Sequence, residues 1–280
     1  MDGIARAGIA AVLAAVTLSG PVKGTFALLG GIQEANARMT VTAAAGKTRL
    51  DILEKKRGTD SAITAYDVDM TQRMHLILVS DDFSEFRHLH PVLDSTTGRF
   101  SIDIALQRGQ RYYAYADTKP TALSQQVFRF VIEPNEPNTA RRSVAPVFTP
   151  SPATQREGAY AIALSSTRLR AGSPSMMRVD IQKNGKPAAD LRTYLGAAAH
   201  AVYIDTSTLS YVHVHPMVRG SAAMGMDMSG AGTSAMPEQS EAGPRMTMRV
   251  PALPIGTYKL WLQFRGGSTL YTAPFTIAVR

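Results

Sequence analysis

The chain reads as all-β: two tandem β-sandwich modules of immunoglobulin- or cupredoxin-like type behind an N-terminal signal segment. Three observations predict this. Val, Ile, Tyr and Phe recur in short runs at β spacing, and no segment of either module keeps a helical apolar period for long. One histidine motif occurs twice, led by His75 and again by His200. A stretch holding Pro134, Pro137, Pro146, Pro150 and Pro152, with little apolar pattern, separates the two copies.

The N-terminus carries Arg6, the apolar run Ile9 to Leu18, the break Gly20-Pro21, a second apolar patch from Phe26 to Ile32, and Ala35-Asn36-Ala37. A short apolar region followed by Ala-x-Ala is what a signal peptidase reads. Residues 1–37 are therefore expected to be a signal peptide cut near Ala37, giving a periplasmic or secreted protein. Gly20, Pro21, Lys23 and Gly24 interrupt the apolar stretch before the roughly 20 residues a membrane span needs. No transmembrane span is expected after cleavage; a retained anchor and a buried N-terminal helix are the competing readings.

The expected boundaries are 38–133 for the first module, 134–154 for an extended linker and 155–280 for the second module. Ser175 to Gln182 shows the strand pattern well. Met177, Val179 and Ile181 alternate with polar residues, and Asn184-Gly185 supplies a hairpin turn. The flanks of the repeat also correspond: Leu106-x-x-Gly109 and Tyr112-Tyr113-Ala-Tyr115 answer Leu253-x-x-Gly256 and Tyr258-x-Leu-Trp261.

An apolar fraction of 45% with 19% charged residues is that of a globular protein. The net charge of +8 is scattered, without a basic stripe interleaved with aromatics, so no nucleic-acid partner is expected. The absence of cysteine excludes disulfides, thiolate zinc sites, iron–sulfur clusters and blue-copper centres.

All six histidines lie in the repeated motif. In each copy a second histidine follows the first by thirteen residues and a third follows two later, giving His75/His88/His90-Pro91 and His200/His213/His215-Pro216. Side chains two apart on a strand share a face. A four-residue hairpin loop pairing Ser80 with Glu85 sets His75 opposite His90; closing it two residues tighter sets His75 opposite His88. Either register leaves three imidazoles on one face, able to converge on an ion. Pro91 and Pro216 end the strand, which suggests a site near the sandwich rim, walled by Phe86 or Tyr211. Three imidazoles suit Cu(II), Zn(II) or Ni(II).

The methionines favour copper. Residues 220–245 form an insertion rich in Gly, Ser and Ala that carries Met224, Met226 and Met228, a thioether cluster suited to Cu(I). Met246 and Met248 read as the start of the next strand, and Met74 as core.

No phosphate-binding glycine loop, Gly-x-Ser-x-Gly elbow or His-Glu-x-x-His helix is present, so no enzyme is expected. A three-histidine zinc site with an open position would be the exception, as a hydrolase or hydratase.

At His75–Pro91 and His200–Pro216 the sequence resembles bacterial exported YtkA-like domains, with a His-led strand, an Asp-containing turn and aromatic-x-His-x-His-Pro. Gly185-Lys-Pro-Ala-Ala-Asp190-Leu191 and Tyr194-Leu195-Gly196 are also similar to that family. The resemblance implies an immunoglobulin-like fold and export. It departs at the Met-rich insertion and at Glu54-Lys-Lys-Arg-Gly58. The combined expectation is an exported copper-binding protein that sequesters or passes on the ion, with an envelope protein as its partner. Two rivals stand beside it: a tandem interaction module with structural histidines, and the zinc enzyme.

Overall fold

The computed structural model describes residues 21–44, 46–134, 147–218 and 237–280. The described residues form strands and turns with no helix, arranged as two tandem β-sandwiches.

In the first module, β1 (Val22–Lys23), β2 (Thr25–Phe26), β3 (Ala35–Ala44), β4 (Lys47–Lys56) and β5 (Met74–Ser80) come first. They are followed by β6 (Phe86–Leu89), β7 (Val92–Asp94), β8 (Arg99–Ile104), β9 (Tyr112–Thr118) and β10 (Gln126–Ile132). One sheet has the order β1-β3-β4-β8-β7 and the other β2-β10-β9-β5-β6. Without the two short N-terminal strands, these are the ABED and GFC orders of an immunoglobulin sandwich, with β6 added beside C.

The second module begins with β11 (Thr154–Glu157), β12 (Tyr160–Leu164), β13 (Arg168–Leu169), β14 (Ser175–Lys183), β15 (Lys186–Pro187) and β16 (Leu191–Arg192). It continues through β17 (His200–Asp205), β18 (Tyr211–Val214), β19 (Met217–Val218), β20 (Arg245–Val250), β21 (Gly256–Gly266) and β22 (Thr269–Val279). Its sheets, β11-β12-β14-β20-β19 and β13-β22-β21-β17-β18, repeat the same plan.

Alternation along each strand builds the two sandwich cores. Met39, Leu50, Ile52 and Phe100 meet Leu76, Leu78, Ala114 and Phe128 in the first module. Met177, Val179, Met246 and Met248 meet Tyr203, Leu260 and Phe264 in the second. Met74, Met246 and Met248 are core residues, each 1% exposed.

A third core joins the modules. Ile77, Val79, Tyr115 and Val127 on the outer face of one sheet pack on Val202, Ile204, Tyr211 and Trp261 of the other. Strands β5 and β17 are consequently buried on both faces, which explains their unbroken apolar runs.

The first module starts earlier than the boundary at residue 38 read from the sequence. Residues 1–20 of the expected signal segment lie outside the described residues, but β1 pairs with β3, and β2 with β10. Ala35 and Ala37 are buried in the sandwich, and Gln126 Oε1 accepts from the Glu34 and Ala35 amides. Ala27 joins the inter-module core, and Tyr211 N donates to its carbonyl at 2.9 Å. Residues 22–37 thus contribute β1, β2 and the start of β3 to the sandwich, while the apolar run Ile9 to Leu18, on which a signal or a buried helix would fall, lies outside the described residues.

Of the linker, 135–146 lie outside the described residues. Beyond them Phe148 meets Phe83 edge-on at 5.5 Å, and Ser151 N donates to Thr276 O.

Candidate metal centre

The hairpins that carry the histidines take the first of the two registers the sequence allows. Ile77 pairs with His88 and Leu76 with Leu89, and Ser80 N donates to Glu85 O at 3.2 Å. One step further along this register, His75 faces His90. In the second copy Val202 pairs with His213 and Ala201 with Val214, so His200 faces His215. Pro91 and Pro216 lack the N–H that would continue the ladder, and the chain crosses there to β7 and β19 in the other sheet.

The imidazoles do not sit at two separate rims. Because the motif-bearing sheets pack on each other, the six rings form one cluster between the modules. The His75 and His213 rings are 5.3 Å apart, His88 and His200 5.2 Å, and His88 and His213 5.6 Å. Aromatic pairs also cross the interface: Phe86 stacks on Trp261 at 5.0 Å, and Tyr211, beside His213, on Tyr115 at 5.3 Å.

Each lead histidine is held by a tight turn. Asp69 and Gln72 exchange two backbone hydrogen bonds around Met70 and Thr71, both at positive φ. Tyr194 and Ala197 do the same around Leu195 and Gly196. These are type I′ geometries. They present the Asp69 carbonyl to His75 Nε2 at 3.0 Å and the Tyr194 carbonyl to His200 Nε2 at 2.9 Å.

Each middle histidine is held by the opposite module. His88 Nδ1 lies 2.9 Å from Gln263 Oε1, while the Gln263 amide donates to Thr272 Oγ1. His213 Nδ1 lies 3.4 Å from Asp117 Oδ2, which also accepts from the Tyr211 hydroxyl; Asp117 Oδ1 accepts from Gln125. Asp117 pairs with His75 across β9 and β5, and Gln263 with His200 across β21 and β17, so the two occupy equivalent positions.

These contacts fix where the protons are. A carbonyl oxygen can only accept, so His75 and His200 carry theirs on Nε2. Gln263 Oε1 and the Asp117 carboxylate draw those of His88 and His213 to Nδ1. The remaining nitrogens then face each other without a proton: His75 Nδ1 and His88 Nε2 at 2.8 Å, His200 Nδ1 and His213 Nε2 at 3.2 Å. Two neutral imidazoles supply two protons to three hydrogen-bonding lines. Nor does a third proton come easily: burial, then the neighbouring imidazoles, hold His88, His200 and His213 well below the ordinary histidine range.

A metal ion would meet this deficit. Two imidazole nitrogens bound tetrahedrally at 2.0–2.1 Å lie about 3.3 Å apart, close to the spacings present here. Ligating histidines usually donate their other N–H to a carbonyl or carboxylate, as these four do. Buried Nε2 atoms of His90 and His215 have no hydrogen-bond partner, and burial lowers both pKa values, that of His90 to about 4. Two sets have three nitrogens within 4.8 Å of one another: His75/His88/His90, and His88/His200/His213. The second set takes its third nitrogen from the first module, not from His215.

Met224, Met226 and Met228 lie outside the described residues. The end of their insertion packs on the second module, with Ala242 in its core and Thr193 Oγ1 donating to Pro237 O.

Asp117, Gln263, Asp69 and Gln125 are site residues that the motif did not reveal. A signal for the first two exists. Tyr115 and Trp261 correspond in the repeat, and two residues further on the same strand face lie Asp117 and Gln263, polar residues inside apolar strands. Beside Asp117 a cavity of about 510 Å³, bordered also by His75, Asp69, Arg73 and Lys119, runs outward to the exposed Val68 and Ile32.

A family model described as a domain of unknown function, DUF8832, matches residues 154–280, the second module. No curated protein matches. Solved structures that match include a chimeric titin Z1Z2-Z1Z2 tandem functionalized with a GRGDS peptide from fibronectin, at 13% identity and TM-score 0.20, covering 92% of this chain and 99% of that one.

Proposed function

We propose that the protein is an exported metal-binding protein, most suited to copper, that sequesters the ion or passes it to an envelope partner. The proton-poor imidazole cluster carries this reading: buried, convergent lone pairs gain nothing from packing alone and gain much from a cation. The cavity beside His75 and Asp117 offers the ion a path from solvent. Met224, Met226 and Met228 would add a Cu(I) capture point on the inserted loop. The resemblance to YtkA-like domains supports export, with any cleavage falling before Val22, since a cut at Ala37 would remove β1, β2 and part of β3.

Titrating metal-free protein with Cu(II) under zinc competition, followed by electron paramagnetic resonance, tests this. Tight binding with nitrogen-dominated hyperfine structure is expected. Zinc outcompeting copper would make zinc the cargo. Absence of tight binding by either ion would overturn the reading and leave the histidines as inter-module structure.

A further inference from the structure

We infer that five of the six histidines make one shared site for a single ion, pivoting on His88 and joining the two modules, in place of one site per module. The inference rests on the metal-binding reading and concerns its stoichiometry and layout.

Both three-nitrogen sets include His88. Its Nδ1 is engaged by Gln263 Oε1 of the second module, so only Nε2 is free to ligate. A terminal imidazole nitrogen holds one ion. The sets His75/His88/His90 and His88/His200/His213 are therefore alternative positions for the same ion, related by exchange of partners around His88. They also differ in depth. His75 borders the outward-leading cavity and His90 is half-buried, whereas His200 is 1% exposed and lies within the interface. An ion entering at the first set would reach the second without releasing His88, and there it would hold nitrogens from both modules at once. Binding in the inner set thus links the modules directly.

Zinc stoichiometry of the full chain, measured by competition with a chromogenic chelator, decides the matter; zinc avoids Cu(I) capture by thioethers. One tight equivalent is expected for the parent protein. His90→Ala and His200→Ala should each retain one equivalent, weakened, because each leaves the other set intact. The double variant should retain none. His88→Ala should also retain none, and His88→Gln should behave alike if the loss is of a ligand and not of packing. Two equivalents in the parent protein, with one lost in His90→Ala and the other in His200→Ala, would overturn the shared site while leaving metal binding standing. No binding in the parent protein would overturn both. Circular dichroism on each variant separates ligand loss from unfolding, and the parent stoichiometry decides independently of any variant.

Discussion

The two copies of the histidine hairpin perform the same tasks with different residues. The first is seated by a Met70-Thr71 turn and the second by Leu195-Gly196. Phe86 stacks on Trp261 where Tyr211 stacks on Tyr115. The middle histidine of the first copy leans on an amide, Gln263, and that of the second on a carboxylate, Asp117. Each copy is completed by the other module, so the repeat forms a mutual interface and not two independent sites. The two halves of the cluster differ in kind: one middle histidine meets a buried carboxyl group and the other a neutral amide.

The interface aromatics should show the largest effect. Trp261 is 3% exposed and packs on both Phe86 and Phe83. Trp261→Ala is expected to cost about 3–5 kcal/mol of unfolding free energy by denaturant titration. Tyr115→Phe keeps the stack on Tyr211 and loses the hydroxyl bond to Leu209 O, at about 1 kcal/mol. Equal costs would mean that the two stacks do not share the load in the way their geometry indicates.

The contrast between carboxyl and amide comes next. Burial raises the Asp117 pKa, while His75, Gln125 and Tyr211 act to lower it. Asp117→Asn would make the second half resemble the first, and zinc affinity should fall about 10–100-fold, the usual cost of losing an outer partner of a ligating histidine. Gln263→Glu should raise affinity for a divalent ion. An unchanged affinity in both would show that the carboxylate serves Tyr211 and Gln125 alone.

A further contrast lies inside the sandwiches. At the end of β4 the first module buries Glu54, bonded to the Thr118 hydroxyl at 3.0 Å, whereas β14 of the second is apolar on its inner face. Burial pushes the Glu54 pKa up to about 8 from 4.5. The folded state therefore holds a proton that the unfolded chain has released. The stability this group contributes is complete below pH 4.5 and is lost as pH rises to about 8. His88, His90, His200, His213 and His215 have depressed pKa values and act oppositely, losing stability as pH falls through the unfolded histidine range. They are common to both proteins, so comparing Glu54→Gln with the parent by unfolding free energy cancels them. The advantage of the variant should grow between pH 5 and pH 8; a constant difference would remove Glu54 as the cause.

Alternation and the repeat made the sandwiches legible, and the His-x-His-Pro strand made the shared face of the histidines legible. What they could not convey was the partner of that face. Ile77, Val79, Val202 and Ile204 are equally compatible with a buried parallel strand or with a docked sheet, because periodicity reports burial and not what covers it. The seating carbonyls of Asp69 and Tyr194 are backbone atoms, which have no residue signature. The apolar patch at Phe26 to Ile32 was ambiguous for a related reason: a short apolar run serves a leader or an edge strand equally well.

The smallest effect separates the two seating turns. A β-branched residue at positive φ is strained, by about 1–2 kcal/mol, and Thr71 sits at φ 71° with Met70 at 42°. Gly196 fills the matching place at φ 73° without that cost. Thr71→Gly relieves the strain but gives the unfolded chain more freedom, worth about 0.4–1 kcal/mol in the other direction. The net expectation is a gain of about 0.5–1 kcal/mol in unfolding free energy. By the same balance Gly196→Thr should lose about 0.5–1 kcal/mol, because strain is added at a position where glycine carries none. If Thr71→Gly instead destabilises the chain, the Thr71 side chain holds the turn more firmly than its backbone strains it. If it stabilises the chain but weakens zinc binding, the strained turn is what keeps the Asp69 carbonyl on His75, and the first copy has retained its strain in exchange for a fixed imidazole.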